Sequence, residues 1–397
     1  MRPIFQSFFQ AGFECSTHRV RRTRRLDLVA ATFHDLHAQA DYAALRRLGI
    51  CTVRDGLRWH LIEAQENHYD WASVQNQLSA ARDHGMQVLW DLCHYGWPAH
   101  LDIWQPAFVE HFARYARAAA SRISEVLGGG QFYCPVNEIS FWAWAGGDVG
   151  LFNPWGKGRG MELKKQLVRA TLAGMEAIRA VDREARFVLV DPAIHVVAAS
   201  APRQSAARHA CRAQFEAWDM IAGRKARELG GALDMLDIIG VNYYPNNQWV
   251  IRGRTIPRGS PRYRPFRDIL SENWKRYGRP LFVAETGTEG EGRVDWLRYV
   301  CDEVEAAIQD GVPVEGICLY PVTDYPGWAD ARHCPCGLLG TPDGTGRRAI
   351  YTPLAEELQR QTQRFAALTR HASLPAHALP HDRQAAAPVQ SGMQPGT

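Results

Sequence analysis

Long apolar runs are missing from this chain of 397 residues. No stretch approaches the roughly 20 consecutive apolar residues that a membrane-crossing helix needs, so no membrane partner is expected. The opening residues, Met1-Arg2-Pro3-Ile4-Phe5-Gln6, lack the apolar core and small-residue cleavage site of a secretory leader. Cysteine is sparse and unpatterned. Nine are scattered along the chain, an odd number without disulfide-framework spacing, which fits a reducing compartment and makes the cytoplasm the expected location. Charge of one sign is lacking too. A formal net charge of +4 is too small to imply a nucleic-acid partner. The one basic cluster, Arg19, Arg21, Arg22, Arg24 and Arg25, reads as a solvated loop. Nothing in the pattern fixes an oligomeric state.

What is present is a recurring alternation. Short β-rich runs occur at Phe8–Phe13, Cys51–Asp55, Val88–Cys93, Phe132–Val136, Phe187–Val190, Leu236–Val241, Leu281–Ala284 and Ile317–Tyr320. Between and after them lie helical patterns at Asp41–Leu48, Val74–His84, Phe108–Val126, Leu163–Val181, Phe215–Leu229, Val294–Ile308 and Pro353–Leu368. Repeated β-then-α units predict a parallel sheet covered by helices, and eight such strands predict a closed (β/α)8 TIM barrel. The rival, an open doubly wound sheet, lacks its Gly-rich phosphate turn after the first strand. Pro135 sits badly inside a central strand and marks an expected bulge. Gln248–Pro265, rich in Arg, Gly and Pro, reads as a long loop after the sixth strand. The expected catalytic domain covers residues 1–370, with a low-complexity, disordered tail over 371–397.

In such a barrel chemistry is housed at the carboxyl ends of the strands. Those ends carry Glu14, Arg54 with Asp55, His94, Asn137-Glu138, Asp191, Asn242-Tyr243-Tyr244, Glu285, and Tyr320 with Asp324 and Trp328. Two glutamates closing apolar runs, Glu138 and Glu285, form the pairing that glycoside hydrolysis uses: one carboxyl protonates the leaving oxygen, the other attacks the anomeric carbon. Arg54, a permanent cation, is suited to hold one of them ionised, and a tyrosine hydroxyl to donate to the same group. Asn137 is placed to meet a sugar hydroxyl at C2. Asp191 and Asp324 read as structural partners of loop backbone.

These residues resemble glycoside hydrolase family 1, the β-glucosidase-like retaining glycosidases, as a divergent member. Val136-Asn137-Glu138 is similar to the family's acid/base motif, and Val283-Ala284-Glu285-Thr286-Gly287 to its nucleophile motif. Val53-Arg54-Asp55-Gly56-Leu57-Arg58-Trp59 resembles the second-strand arginine motif, and His94-Tyr95-Gly96-Trp97-Pro98 the third-strand histidine motif. Ile239-Gly240-Val241-Asn242-Tyr243-Tyr244 is similar to the sixth-strand motif, and Tyr320 through Trp328 to the eighth. The likeness spans roughly Phe9 to Trp328. It implies a retaining β-glycosidase acting by double displacement on a carbohydrate substrate without a cofactor. Glu138 would be the acid/base and Glu285 the nucleophile. Arg54 and Tyr244 would support Glu285, and His94, Asn137, Asn242, Tyr320, Trp328 and Glu14 would contact the sugar.

The departures fall among the sugar-reading positions. The family's first-strand glutamine has no clear counterpart, Glu14 lying nearest. Tyr320 stands where tryptophan is usual, Gly327 where a glutamate reads the distal hydroxyls of glucose, and Thr286 where asparagine follows the nucleophile. The sugar and aglycone are therefore left open, as is hydrolysis against transfer to another acceptor. A barrel kept for carbohydrate binding alone is the non-enzymatic alternative, which a retained charge cluster argues against. His333-Cys334-Pro335-Cys336 lacks a second Cys/His pair at zinc-finger spacing, so no metal is expected.

Overall fold

The computed structural model describes residues 3–21, 24–328 and 330–372. Eight parallel strands close into a barrel: β1 (Phe9–Gly12), β2 (Thr52–Gly56), β3 (Gln87–Asp91), β4 (Phe132–Cys134), β5 (Arg186–Pro192), β6 (Ile238–Asn242), β7 (Leu281–Thr286) and β8 (Val314–Leu319). Closure is made by β1, which pairs with β8 through Phe9–Ile317 and with β2 through Gly12–Arg54. The main outer helices are α1 (His34–Arg47), α2 (Gln75–His84), α3 (Ala107–Leu127), α4 (Gly160–Arg179), α5 (Glu216–Ile221), α6 (Phe266–Tyr277), α7 (Gly292–Gln309) and α8 (Thr352–Ala372). The TIM barrel read from the strand–helix alternation is the observed fold.

Two apolar clusters follow from strand alternation, since successive side chains point inward and outward. The inner one gathers Leu89, Cys134, Val188, Val190, Ile238, Phe282 and Ala284. Phe5 plugs it at the amino end, its ring 5.5 Å from Phe132 and 5.0 Å from Phe282. The larger outer cluster lies between strands and helices, as between Val53, Val88 and Trp90 and the helical Leu78, Tyr115 and Ala119. Among the described residues no helix is long and apolar enough to cross a membrane.

Four segments depart from the sequence-based expectation. The basic cluster is not an open loop: Arg19–Arg21 pairs antiparallel with Arg24–Arg25, and the partly buried Arg25 donates to Thr17 O and Trp97 O. The run Phe215–Leu229 is not one helix: α5 stops at Ile221, and Gly223 adopts a positive φ of 69°, a conformation glycine takes without steric penalty. The chain after the sixth strand is not all loop. Gln248–Val250 pairs with His195–Val197, and α6 begins directly after Pro265. The final helix continues to Ala372, two residues into the expected tail. The rest of that tail, and Arg22 of the basic cluster, lie outside the described residues.

Candidate active site

Strand irregularities aim the two glutamates. On β7 the pairing with β6 slips between Val283 and Glu285, which places Glu285 opposite Asn242; such slips commonly redirect a side chain. β4 ends at Cys134, so Pro135 lies just past the ladder and removes no strand hydrogen bond. Beyond it the Asn137 N–H donates to Cys93 O at 3.0 Å, and the Glu138 N–H to Val190 O at 3.0 Å. Glu138 itself sits at φ 44° and Tyr95 at φ 65°. Both are left-handed non-glycine residues, a costly state that collects at functional sites. Asp191 anchors the turn after Glu138 by accepting the Ser140 N–H, and Asp324 accepts that of Gly337 at 2.8 Å.

Arg54, fully buried on β2, organises the floor. Its Nη1 donates to Glu285 Oε1 at 2.6 Å. Its Nε and Nη2 donate to Asp91 at 3.1 and 2.7 Å, and Nη2 also reaches Asn137 Oδ1 at 2.6 Å. Because guanidinium only donates, the last contact fixes which way the Asn137 amide points. Asn137 Nδ2 therefore donates to His94 Nε2 at 2.9 Å and to Tyr95 Oη at 3.1 Å. His94 accepts on Nε2 and carries its proton on Nδ1, 3.0 Å from Asp91. Asn137, expected to read a sugar hydroxyl, thus has both amide hydrogens and one lone pair engaged in holding the site together.

The two glutamates live in different surroundings. Glu285 receives Arg54 on one oxygen and the Tyr244 hydroxyl on the other, at 2.9 Å. Glu138 receives only neutral donors, the Tyr95 hydroxyl and Asn242 Nδ2, the latter at 2.8 Å. Burial raises both carboxyls, and each opposes ionisation of the other. For Glu138, burial followed by the charge of Glu285 lifts the pKa to about 8. At Glu285 burial also acts upward, but Arg54 works against it. Glu285 is accordingly the carboxyl that ionises first, and Glu138 the one that keeps its proton.

The remaining expected residues converge on the same mouth. Glu14 is buried, accepts the Ser16 N–H at 3.0 Å and lies 4.0 Å from His94 Nε2. Tyr320 is buried, with Arg54 5.3 Å from its ring centre and the His94 ring stacked at 6.4 Å. Trp328 packs in a cup of rings with Tyr95, Phe141, Phe152 and His18.

Asp91, Tyr95, His18 and Cys15 also belong to this mouth, and none of them was expected as a site residue from the sequence, Tyr95 entering only as a neighbour of His94 in its motif. Cys15 Sγ lies 3.2 Å from His94 Nδ1 and 3.5 Å from Asp91 Oδ2. This trio has the spacing of metal ligands, but its chemistry fits poorly. Burial and the charges of Asp91 and Glu14 push the Cys15 thiol well above its usual range, whereas a metal needs the thiolate. Asp91 is already committed to Arg54. His333 and Cys334 lie instead in a small antiparallel ribbon with Tyr325 and Pro326.

No protein-family model matches the chain, and no curated protein matches it in sequence. Solved structures do. The β-glucosidase of Thermotoga maritima in complex with castanospermine aligns at a TM-score of 0.73, covering 91% of this chain and 99% of that one at 15% identity. The same enzyme with deoxynojirimycin gives 0.73 at 16% identity over the same shares. The structure described as a family 1 β-glucosidase from that organism gives 0.72 at 16% identity, again covering 91% and 99%. At such identities the likeness establishes the barrel fold.

Proposed function

We propose that this protein is a retaining β-glycosidase working by double displacement. The observation that carries the reading is the asymmetry of the two buried glutamates: Glu285 faces a guanidinium and a tyrosine hydroxyl, while Glu138 faces neutral donors and is raised to about 8. One ionised and one protonated carboxyl at neutral pH is what the first step requires. The fold shared with β-glucosidases and the six sequence motifs support the same assignment.

In the first step a Glu285 oxygen attacks the anomeric carbon as the bond to the leaving oxygen breaks, and the Glu138 proton passes to that oxygen. The product is a glycosyl ester on Glu285. Glu138, now a carboxylate, then takes a proton from an incoming water. The water oxygen displaces Glu285 from the same carbon, and two inversions restore the starting configuration. Arg54 and Tyr244 stabilise the carboxylate that leaves in this step. Both steps run on carboxyl groups alone, so the mechanism calls for no cofactor.

One observation favours a second acceptor. Glu138 and Glu285 are only 9% and 5% exposed, and keeping bulk water from a glycosyl ester slows its hydrolysis and leaves it for another acceptor. Product analysis with added acceptor sugars separates the two outcomes. The catalytic assignment itself is tested with aryl β-glycosides. Glu285→Gly should lose turnover on every substrate. Glu138→Gly should keep activity on good leaving groups and be partly rescued by azide.

A further inference from the structure

His18 is the most conspicuous polar group in the mouth that the proposed mechanism does not use. Its ring is 0% exposed, yet neither Nδ1 nor Nε2 has a hydrogen-bond partner among the described residues. Buried polar atoms are nearly always satisfied, and an apolar side chain of similar shape would be neutral or stabilising in their place. The ring lies 4.4 Å from Trp328, 4.8 Å from Phe152 and 6.0 Å from Tyr95. Tyr95 in turn donates its hydroxyl to Glu138. Only one aromatic ring therefore separates the unpartnered imidazole from the group that protonates the leaving oxygen. On the other side of Glu138, Asn242 Oδ1 is also buried and has no partner among the described residues, while its Nδ2 is spent on Glu138.

The histidine is held rigidly. The neighbouring Thr17 N–H donates to His94 O at 3.1 Å, and His18 O accepts the Leu26 N–H at 2.8 Å. This backbone pinning keeps the ring between Trp328 and Tyr95 without any bond to its nitrogens. Burial above all, with the Arg25 cation acting the same way, lowers the ring to about 3, so it is neutral under ordinary conditions. A neutral imidazole offers one N–H and one lone pair. That pair matches a hydroxyl, which both donates and accepts; it offers an anionic group no cation.

We infer that His18 is a sugar-reading residue whose imidazole hydrogen-bonds a hydroxyl of the bound glycone, fitting the site to a neutral sugar at that position rather than a uronate or sugar phosphate. The inference deepens the glycosidase reading and rests on it.

The test uses the full chain as wild type, His18→Leu and His18→Gln, with 4-nitrophenyl β-glycosides and their monodeoxy analogues. In the wild type, removing one particular hydroxyl should lower kcat/KM by about tenfold or more. His18→Leu should show that loss on the parent substrate, become indifferent to the same deoxygenation, and melt no lower than wild type. His18→Gln, which keeps a donor and an acceptor, should recover part of the discrimination. His18→Leu that keeps the full deoxy penalty, or loses activity only in step with a lowered melting temperature, overturns the inference. If His18→Leu does not fold, the deoxy penalty of His18→Gln decides: a penalty equal to wild type overturns it and a smaller one supports it. Binding of deoxynojirimycin, followed by tryptophan fluorescence, separates the two levels. Wild type that neither binds it nor turns over any glycoside sinks the glycosidase reading and this inference with it. Wild type that binds it, with deoxy discrimination untouched in both variants, sinks the histidine's role alone.

Discussion

Arg54 spans two carboxylates, holding Glu285 at 2.6 Å and Asp91 at 2.7 Å with different nitrogens of one buried guanidinium. The nucleophile candidate therefore shares its cation with a second acid. Burial acts to raise Asp91, but Arg54 and His94 outweigh it and hold the carboxyl at about 2.

Asp91 thus favours the folded state above its unfolded pKa near 4, and that contribution is lost as pH falls toward 2. Asp91→Asn should remove this part of acid unfolding. Leaving a buried arginine with one partner fewer should cost about 3–5 kcal/mol at neutral pH. Denaturant unfolding between pH 2 and 7 measures both effects. Equal acid sensitivity in wild type and variant would contradict the shared cation.

Glu138 works in the opposite sense. Its folded pKa, about 8, lies above the unfolded value near 4.3, so the native state binds the extra proton and stability falls as pH rises between the two. Glu138→Gln should flatten that decline over pH 5 to 8. In the wild type the alkaline limb of kcat/KM should fall near pH 8. Thermal melts across the range, set beside the rate profile, check the pair of expectations.

Tyr95 donates to Glu138 and favours its ionised form. Tyr95→Phe should move the alkaline limb to higher pH while activity at neutral pH drops. A limb that stays in place, measured on the same aryl glycoside, would detach Tyr95 from the acid.

An aromatic path runs outward from the acid. Phe141 lies 5.9 Å from Tyr95 and 6.0 Å from Trp144, which is 50% exposed beside the exposed Val149 and Leu151. Trp144 sits in the π-helical turn Ala143–Asp148, a distortion frequent at functional sites. On the proposed glycosidase reading, a leaving group that departs past Glu138 along this path would meet an apolar surface suited to an apolar or aromatic aglycone. Trp144→Ala should raise KM for octyl and aryl glycosides by roughly tenfold, the worth of about 1–2 kcal/mol of apolar contact, with little change for methyl glycosides. An equal rise for all three would point to a structural role instead.

Much of this site was legible in the sequence because a barrel puts strand ends at one mouth. Once eight β-then-α units are counted, Arg54, Glu138, Asn242 and Glu285 must converge. Asp91 was hidden because it lies inside a run read as strand, and strand period alone does not say that an inward carboxylate meets an arginine on the neighbouring strand. Tyr95 was read as part of a histidine motif; its reach to Glu138 depends on a left-handed backbone that no residue type announces. His18 follows a polar turn and resembles a surface residue until the fold buries it. Helix α6 was overshadowed by the Arg- and Gly-rich stretch before it, although Phe266, Ile269, Leu270, Asn273 and Tyr277 are spaced as one buried face and Gly278 closes the end.

The most direct measurement is covalent trapping with a 2-deoxy-2-fluoro β-glycoside bearing a good leaving group, followed by mass spectrometry of the digested protein. A single glycosyl adduct on the peptide containing Glu285, absent from Glu285→Gly, is the predicted result. An adduct on another residue, or turnover that releases the opposite anomer with no adduct, would contradict double displacement at this pair of glutamates.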